Sequence, residues 1–514
     1  MPFRSSLASV AFVCGALLLA LTYAVFLRAP AVGIFHDDGV YLVTAQALAE
    51  GRGYRIISIP WEPVQTKYPI LFPWLLSLVW RLNPSFPDNL PWLRMVPFVF
   101  GLSWGWLSWR LLRRLGMAPP AASVALLLVA ASPWVVFVST TLLAETLFAT
   151  LLTGGLLLIV RIDAGDGHRF DGFAAGVLLG GSLLARTAGI APAIAALAFL
   201  AVRRRFGLCA QYAVGALATA APWFWWVAQN ASDPGIDPFY SSNSYASWNI
   251  LASYSWSEKL TVVGVNAAYA MALGQFWGLT APVWVAVVAG IVGSVLVGRG
   301  LWVARTSPVA VLVAAYLAML LAWAWPPVRF LVPVLPLFVW LAFVSVGRRR
   351  RVVTVVAVAL LASAGLANWQ LVSAVREKGG TWFAAWGVND WHAMRRQIDW
   401  IDRETPRDAV VVAIHDPTYY LFTGRKALRP FNFDPLLLYY NVWRRPGNPF
   451  GTADDFRQRL LAIEADYVVV TRNDGLEPVI GELMAASAQS LVPVHGSAAS
   501  GYVTYRVDRS RLHD

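Results

Sequence analysis

The chain has 514 residues, 58% of them hydrophobic and only 14% charged, where ordinary soluble domains carry roughly a quarter charged residues. Apolar runs of about twenty residues recur from Leu7 to Val372, each long enough to cross a hydrocarbon core of about 30 Å. This excludes a purely soluble protein, and the net charge of +12 does not indicate nucleic acid, because its arginines bracket apolar runs and do not line a soluble face.

In chain order, about eleven spans are predicted, near residues 7–27, 91–112, 119–138, 141–160, 171–186, 187–202, 207–227, 279–298, 307–325, 329–346 and 352–372. The first is read as an uncleaved helix in preference to a signal peptide ending near residues 29–31, since its apolar core is too long for a signal. Basic clusters follow alternate spans: Arg110, Arg113 and Arg114; Arg161 and Arg169; Arg203 to Arg205; Arg299 and Arg305; Arg348 to Arg351. Basic residues accumulate on the cytoplasmic side. The N-terminus is therefore expected inside and the C-terminal domain outside, in a multi-pass protein of the cell inner (plasma) membrane. The two cysteines, Cys14 and Cys209, lie in apolar runs and read as packing residues.

Two outward loops are long, 28–90 and 228–280. The first contains KYPILFPWLLSLVWRL (Lys67 to Leu82), which is short for a span and interrupted by Pro69 and Pro73. Counting it as a span would invert every later loop, so it is expected to lie in the interface or to be partly re-entrant. Residues 1–372 form the predicted membrane domain, and 373–514 a soluble α/β domain. That second part is charge-neutral, and AVVVAI, DYVVV and YVTYRV read as its strands. Helices are expected from Trp391, Met394, Ile398 and Ile401 at helical spacing and from TADDFRQRLLAIEA.

With this topology the isolated charges of the membrane part fall at its outer face. They are Asp37 and Asp38 after the first span, Lys67 in TKYP, Glu145 in LLAETLF, Arg186 in LLARTAG and Arg329 in WPPVRFLVP. A charge within the bilayer costs about 2.5–3.5 kcal/mol on insertion scales, so Glu145 and Arg186 need partners or a function. Each residue also has a plainer reading. The aspartates suit a helix N-terminus, the cations can snorkel to headgroups, and Glu145 can sit in a structural ion pair. His36 reads as an incidental neighbour, and His415 as a surface residue of the soluble domain.

At these residues the chain resembles the C-type glycosyltransferases, and more narrowly the protein O-mannosyltransferase and lipid A aminoarabinose transferase group. FHDDGVYLVTAQALAEGRGY follows that group's first-loop pattern, with Asp37 in its Asp position, Asp38 replacing Glu, and Tyr41 matching. The later Lys-Pro-Pro-Leu element appears as KYPILFPWLL, so Lys67 matches but the first proline has become Tyr68. LAETLF, LLARTAG and RFLVPVLP match further elements at Glu145, Arg186 and Arg329. The likeness covers the membrane part evenly and the C-terminal domain loosely. WFWWVAQN does not supply the Trp-Trp-Asp signature of oligosaccharyltransferases.

The resemblance implies a sugar donor on polyprenyl phosphate and an acceptor that is a glycan, lipid or protein, with no nucleic acid involved. Asp37 is the candidate base for the acceptor hydroxyl. Lys67 and Arg329, with Arg186, would stabilise the departing phosphate. Asp38, Glu145 and Tyr41 would position base and substrate. Two adjacent carboxylates can recruit a divalent cation, but no third oxygen ligand is evident, so no metal site is assigned. The rival class is a secondary transporter or lipid flippase with Glu145 and Arg186 as pathway residues, although transporters place such charges at the midplane between repeats and no repeat is visible. A non-catalytic scaffold that keeps this fold is the third reading.

Overall fold

Leu, Ala and Val dominate the predicted spans, and in a bilayer such runs satisfy their backbone hydrogen bonds internally as helices. A computed structural model describes residues 3–29, 32–33, 36–230, 254–279, 282–347, 350–377, 390–431, 439–440, 451–472 and 474–513. It carries α1 (Phe3–Arg28), α2 (Asp37–Ala49), α3 (Leu71–Leu82), α4 (Leu90–Arg114), α5 (Pro119–Ala130), α6 (Pro133–Thr140), α7 (Glu145–Asp163) and α8 (Asp171–Ala185). There follow α9 (Ile190–Val202), α10 (Phe206–Asn230), α11 (Trp256–Met271), α12 (Val283–Val303), α13 (Pro308–Leu321), α14 (Val328–Val346, tightened to a 3-10 turn over Val332–Val334) and α15 (Arg350–Glu377).

Every predicted span coincides with a helical segment. By length and composition alone, four helices among the described residues can cross a membrane: α7, α12, α14 and most of α15. The segment expected as one span at 119–138 is bent by 69° between α5 and α6. Pro133 lacks the N–H that would continue the helix, and the Asn368 side-chain amide of α15 donates to the Ala131 carbonyl at the bend, 2.8 Å away. Residues 231–253 and 280 of the second predicted loop, together with Arg348 and Arg349, lie outside the described residues.

The chain divides into two compact units. The first comprises Met1–Arg28, Arg94–Trp225 and Val262–Val372; the second comprises Ala29–Leu93, Trp226–Thr261 and Ser373–Asp514.

In the first unit, small residues let helix backbones meet. Gly172, Gly176 and Gly180 recur every four residues along α8, and a Cβ on each would lie 3.0, 2.1 and 2.9 Å from the carbonyl oxygens of Leu208, Tyr212 and Ala216 on α10. Buried polar side chains close helix ends. Arg94 donates from Nη1 to the Leu27 carbonyl at the end of α1, at 3.2 Å, and Asn266 donates to the carbonyls of Leu320, Leu321 and Trp323 at the end of α13. Such groups supply the partners that terminal carbonyls lack.

The second unit contains α2, α3 and a five-stranded sheet. At 12 residues, α3 is about 18 Å long, shorter than a hydrocarbon core of about 30 Å. The sheet is formed by β1 (Val410–Ala413), β2 (Lys426–Leu428), β3 (Tyr467–Val470), β4 (Leu491–Ser497) and β5 (Tyr502–Val507), in the order β2-β1-β3-β5-β4. β1 pairs parallel with β2 and β3, while β5 pairs antiparallel with β3 and β4. Helices α16 (Trp391–Glu404), α17 (Asp416–Thr423), α18 (Ala453–Ala462) and α19 (Glu477–Ala486) accompany it. Val412, Val468, Val470, Phe456 and Leu460 contribute to its core.

The expected strands and both expected helices are present; β2 and β4 were not anticipated. β2 is an edge strand, whose free backbone groups need cover. Part of that cover comes from the segment after α2: the Ala427 N–H donates to the Ser58 carbonyl at 2.8 Å, and Lys426 Nζ donates to Glu62 Oε1 at 2.7 Å.

Gly176→Ala tests the packing in the first unit. It is expected to cost about 2 kcal/mol through overpacking against α10, read as a lower Tm of the detergent-solubilised protein. Gly207→Ala, where nothing lies within 4 Å of the added Cβ, should leave Tm unchanged or slightly raised.

Candidate functional site

The predicted site residues form two constellations, each inside one unit. In the second unit, Asp37 and Asp38 occupy the first turn of α2, where exposed N–H groups and the helix dipole favour carboxylates. Asp38 is fully buried, and its Oδ2 accepts the Gly33 N–H at 2.7 Å. Gly33 has φ +81°, and a Cβ there would overlap Thr418 Oγ1, so only glycine fits. Asp37 is partly exposed, and its Oδ1 accepts the phenol O–H of Tyr68 at 2.6 Å.

Lys67 is almost fully buried, with Nζ 5.3 Å from the centroid of the Tyr68 ring. Tyr41 packs its ring edge-on against Tyr68 and Phe72, both at 5.2 Å. The Lys67–Tyr68 backbone is held by Gln65, whose Oε1 accepts the N–H of Lys67 at 2.8 Å and of Tyr68 at 3.2 Å. Asp37, Tyr41 and Lys67 therefore all touch one residue, Tyr68.

The two histidines depart from their sequence reading. His36, expected as an incidental neighbour, is buried and donates from Nε2 to Asp416 Oδ1 at 2.8 Å. His415, expected on the surface, is also buried and donates from Nδ1 to the Gly33 carbonyl at 3.0 Å. Arg429 Nε lies 3.7 Å from Asp416 Oδ1. Burial, with the Arg429 charge beside it, pushes the His415 imidazole down to about 4, against the opposing pull of the Gly33 carbonyl. Burial also holds His36 well below the usual imidazole range, reinforced by Arg429, Lys67 and His415. Both rings are therefore neutral at pH 7, each with its one N–H directed at an oxygen. His36 takes φ +63° and ψ −42°, a sparsely populated backbone region costing on the order of 1–3 kcal/mol for a residue with a side chain.

In the first unit, Glu145 opens α7 and is 1% exposed. Arg186 Nη1 bonds Glu145 Oε1, and Arg329 Nε reaches the same oxygen at 2.8 Å. The Arg186 guanidinium also lies over the Phe330 ring, 4.4 Å from its centroid. Two guanidiniums, one buried and one largely so, thus meet the Glu145 carboxylate, the opposite charge that a carboxylate withdrawn from water needs.

Tyr68, Asp416 and Arg429 were not anticipated as site residues. Tyr68 was visible as a departure from the Lys-Pro-Pro-Leu element. Nothing in AIHDPTYYLF or ALRPF marked Asp416 and Arg429 for this neighbourhood. Among the described residues, no cluster of three or more His, Cys, Asp or Glu residues is arranged to hold a metal ion.

No family model and no curated protein matches the chain. Among solved structures it is similar to ArnT from Cupriavidus metallidurans bound to undecaprenyl phosphate, with 15% identity, a TM-score of 0.60, and coverage of 98% of this chain and 99% of that one. The apo state of the same protein matches at 16% identity with a TM-score of 0.59, covering 99% of both chains. The archaeal oligosaccharyltransferase AglB from Archaeoglobus fulgidus, in complex with an inhibitory peptide and a dolichol-phosphate, matches at 14% identity with a TM-score of 0.52, covering 96% of this chain and 74% of AglB. The chain therefore shares the fold of these ArnT and AglB structures.

Acid should loosen the second unit. Below pH 6.5 the unfolded chain takes up a proton at position 415 that the folded imidazole does not accept until about pH 4. Stability is therefore lost as pH falls through that window, by about 2 kcal/mol at pH 5. The Tm at pH 5 should fall below that at pH 7 in the wild type, and by less in His415→Asn, whose amide retains a donor for Gly33 without titrating.

Proposed function

We propose that the chain is an integral membrane glycosyltransferase that moves a sugar from a polyprenyl-phosphate donor to an acceptor hydroxyl at the outer face of the membrane. The observation that carries this reading is a partly exposed aspartate, oriented by a phenol that also contacts a buried lysine, on a C-type glycosyltransferase fold. The named ligands of the similar structures, undecaprenyl phosphate on ArnT and a dolichol-phosphate on AglB, support a lipid-phosphate donor.

The acceptor oxygen attacks the anomeric carbon while its proton passes to the Asp37 carboxylate. The bond from that carbon to the phosphate oxygen breaks, and the lipid phosphate leaves with the electron pair. One displacement inverts the anomeric configuration. A phosphate monoester is stable as an anion, so the leaving group needs cations and no paired acid. In the second unit Lys67 is the cation assigned to it. Asp38, accepting from Gly33, fixes the first turn of α2, and with Tyr41 it positions reacting groups. The arginine distribution supports an orientation with the N-terminus in the cytoplasm and residues 373–514 outside the inner membrane.

The test is Asp37→Asn, expressed at wild-type level, with cell-envelope glycans, lipids and proteins read by mass spectrometry for the modification the wild type adds. Removing a general base is expected to slow transfer roughly 10²–10⁴-fold. Transfer near the wild-type rate would remove Asp37 from this role.

A further inference from the structure

The proposed base and the proposed phosphate-binding lysine lie 30 positions apart, and one side chain touches both. Tyr68 is 4% exposed; its hydroxyl donates to Asp37 Oδ1 at 2.6 Å, and its ring lies 5.3 Å from Lys67 Nζ. Both sides of its backbone are held: the N–H by Gln65 Oε1 at 3.2 Å, and the carbonyl by the Tyr54 hydroxyl at 2.8 Å. Tyr41 closes one flank of the ring. The phenol therefore has little rotational freedom, and neither do the groups it contacts.

We propose that Tyr68 is a positioning residue that orients the Asp37 carboxylate through its hydroxyl and the Lys67 ammonium through its ring. This rests on the reading of Asp37 as base and Lys67 as phosphate ligand. A phenol O–H donated to a carboxylate favours its ionised form, which keeps the base ready at lower pH. It also fixes the rotation of the carboxylate about its bond to Cβ, as proton transfer at hydrogen-bond distance requires. The ring face attracts the ammonium and fixes its position without taking its charge, as a carboxylate partner would. A proline at this position, as in the Lys-Pro-Pro-Leu element, would offer neither the donor nor the ring. The device belongs to this chain's departure from that pattern.

Two substitutions separate the contributions. Tyr68→Phe removes the hydroxyl and keeps the ring; Tyr68→Leu removes both. Transfer is followed from pH 5 to pH 8 in membranes containing the full chain, and binding of undecaprenyl phosphate is measured on the purified full chain in lipid nanodiscs. Tyr68→Phe should lower the transfer rate about tenfold and move the acidic limb of its pH profile up by about one unit, with undecaprenyl phosphate binding unchanged. Tyr68→Leu should show the same losses and in addition bind undecaprenyl phosphate about fivefold more weakly.

A Tyr68→Phe protein with wild-type rate and limb, alongside an inactive Asp37→Asn, would overturn the inference and leave the base assignment standing. Tyr68→Phe weakening undecaprenyl phosphate binding as much as Tyr68→Leu would also overturn it, since the ring would then have no role of its own. An active Asp37→Asn would overturn the base assignment and this inference with it.

Discussion

A charge withdrawn from water has to be met by opposite charge or by hydrogen bonds, and an unmet one costs several kcal/mol. That constraint organises the second unit. Asp38 is buried on α2 and held by a backbone N–H of Gly33; the carbonyl of that same glycine is held by His415. Asp416, equally buried, is held by His36 immediately ahead of α2. The start of α2 and the start of α17 are thus laced together from both sides, and the backbone under Asp37 inherits that rigidity. The first unit answers the same constraint differently, with two guanidiniums closing on one carboxylate.

Periodicity and composition were sufficient for the helices and for much of the small sheet, because a run such as AVVVAI or a helix face such as Trp391, Met394, Ile398 and Ile401 carries its own signal. They could not find β2, three residues long, whose strand character comes from pairing with β1 and from the cover supplied by Ser58. β4 escaped because VPVHGS mixes proline and glycine, the residues of an irregular edge. The bend at Ala131 hides within a continuous apolar run, and only Pro133 hints at it.

Within the site, the sequence revealed those residues that are chemically conspicuous where they stand: adjacent aspartates, or a glutamate in an apolar run. It could not reveal partners supplied by a different part of the chain. Asp416 looks like an ordinary acidic residue at a helix start, and becomes a buried counter-group only once His36 and Arg429 are beside it. His415 and His36 were misjudged for the same reason, since burial is a tertiary property. Tyr68 lay between these cases: the departure was visible, but its bond to Asp37 required the fold.

His36 and Asp416 are 380 positions apart in the sequence. A ribosome adding about 5–20 residues per second completes α2 roughly 20–70 seconds before Asp416 has been polymerised. Throughout that interval His36 and Gly33, which flank the aspartates, lack their partners Asp416 and His415. The newborn protein therefore passes through membrane insertion with the start of α2 not yet pinned to α17, and gains that brace only once residues 415 and 416 have been made.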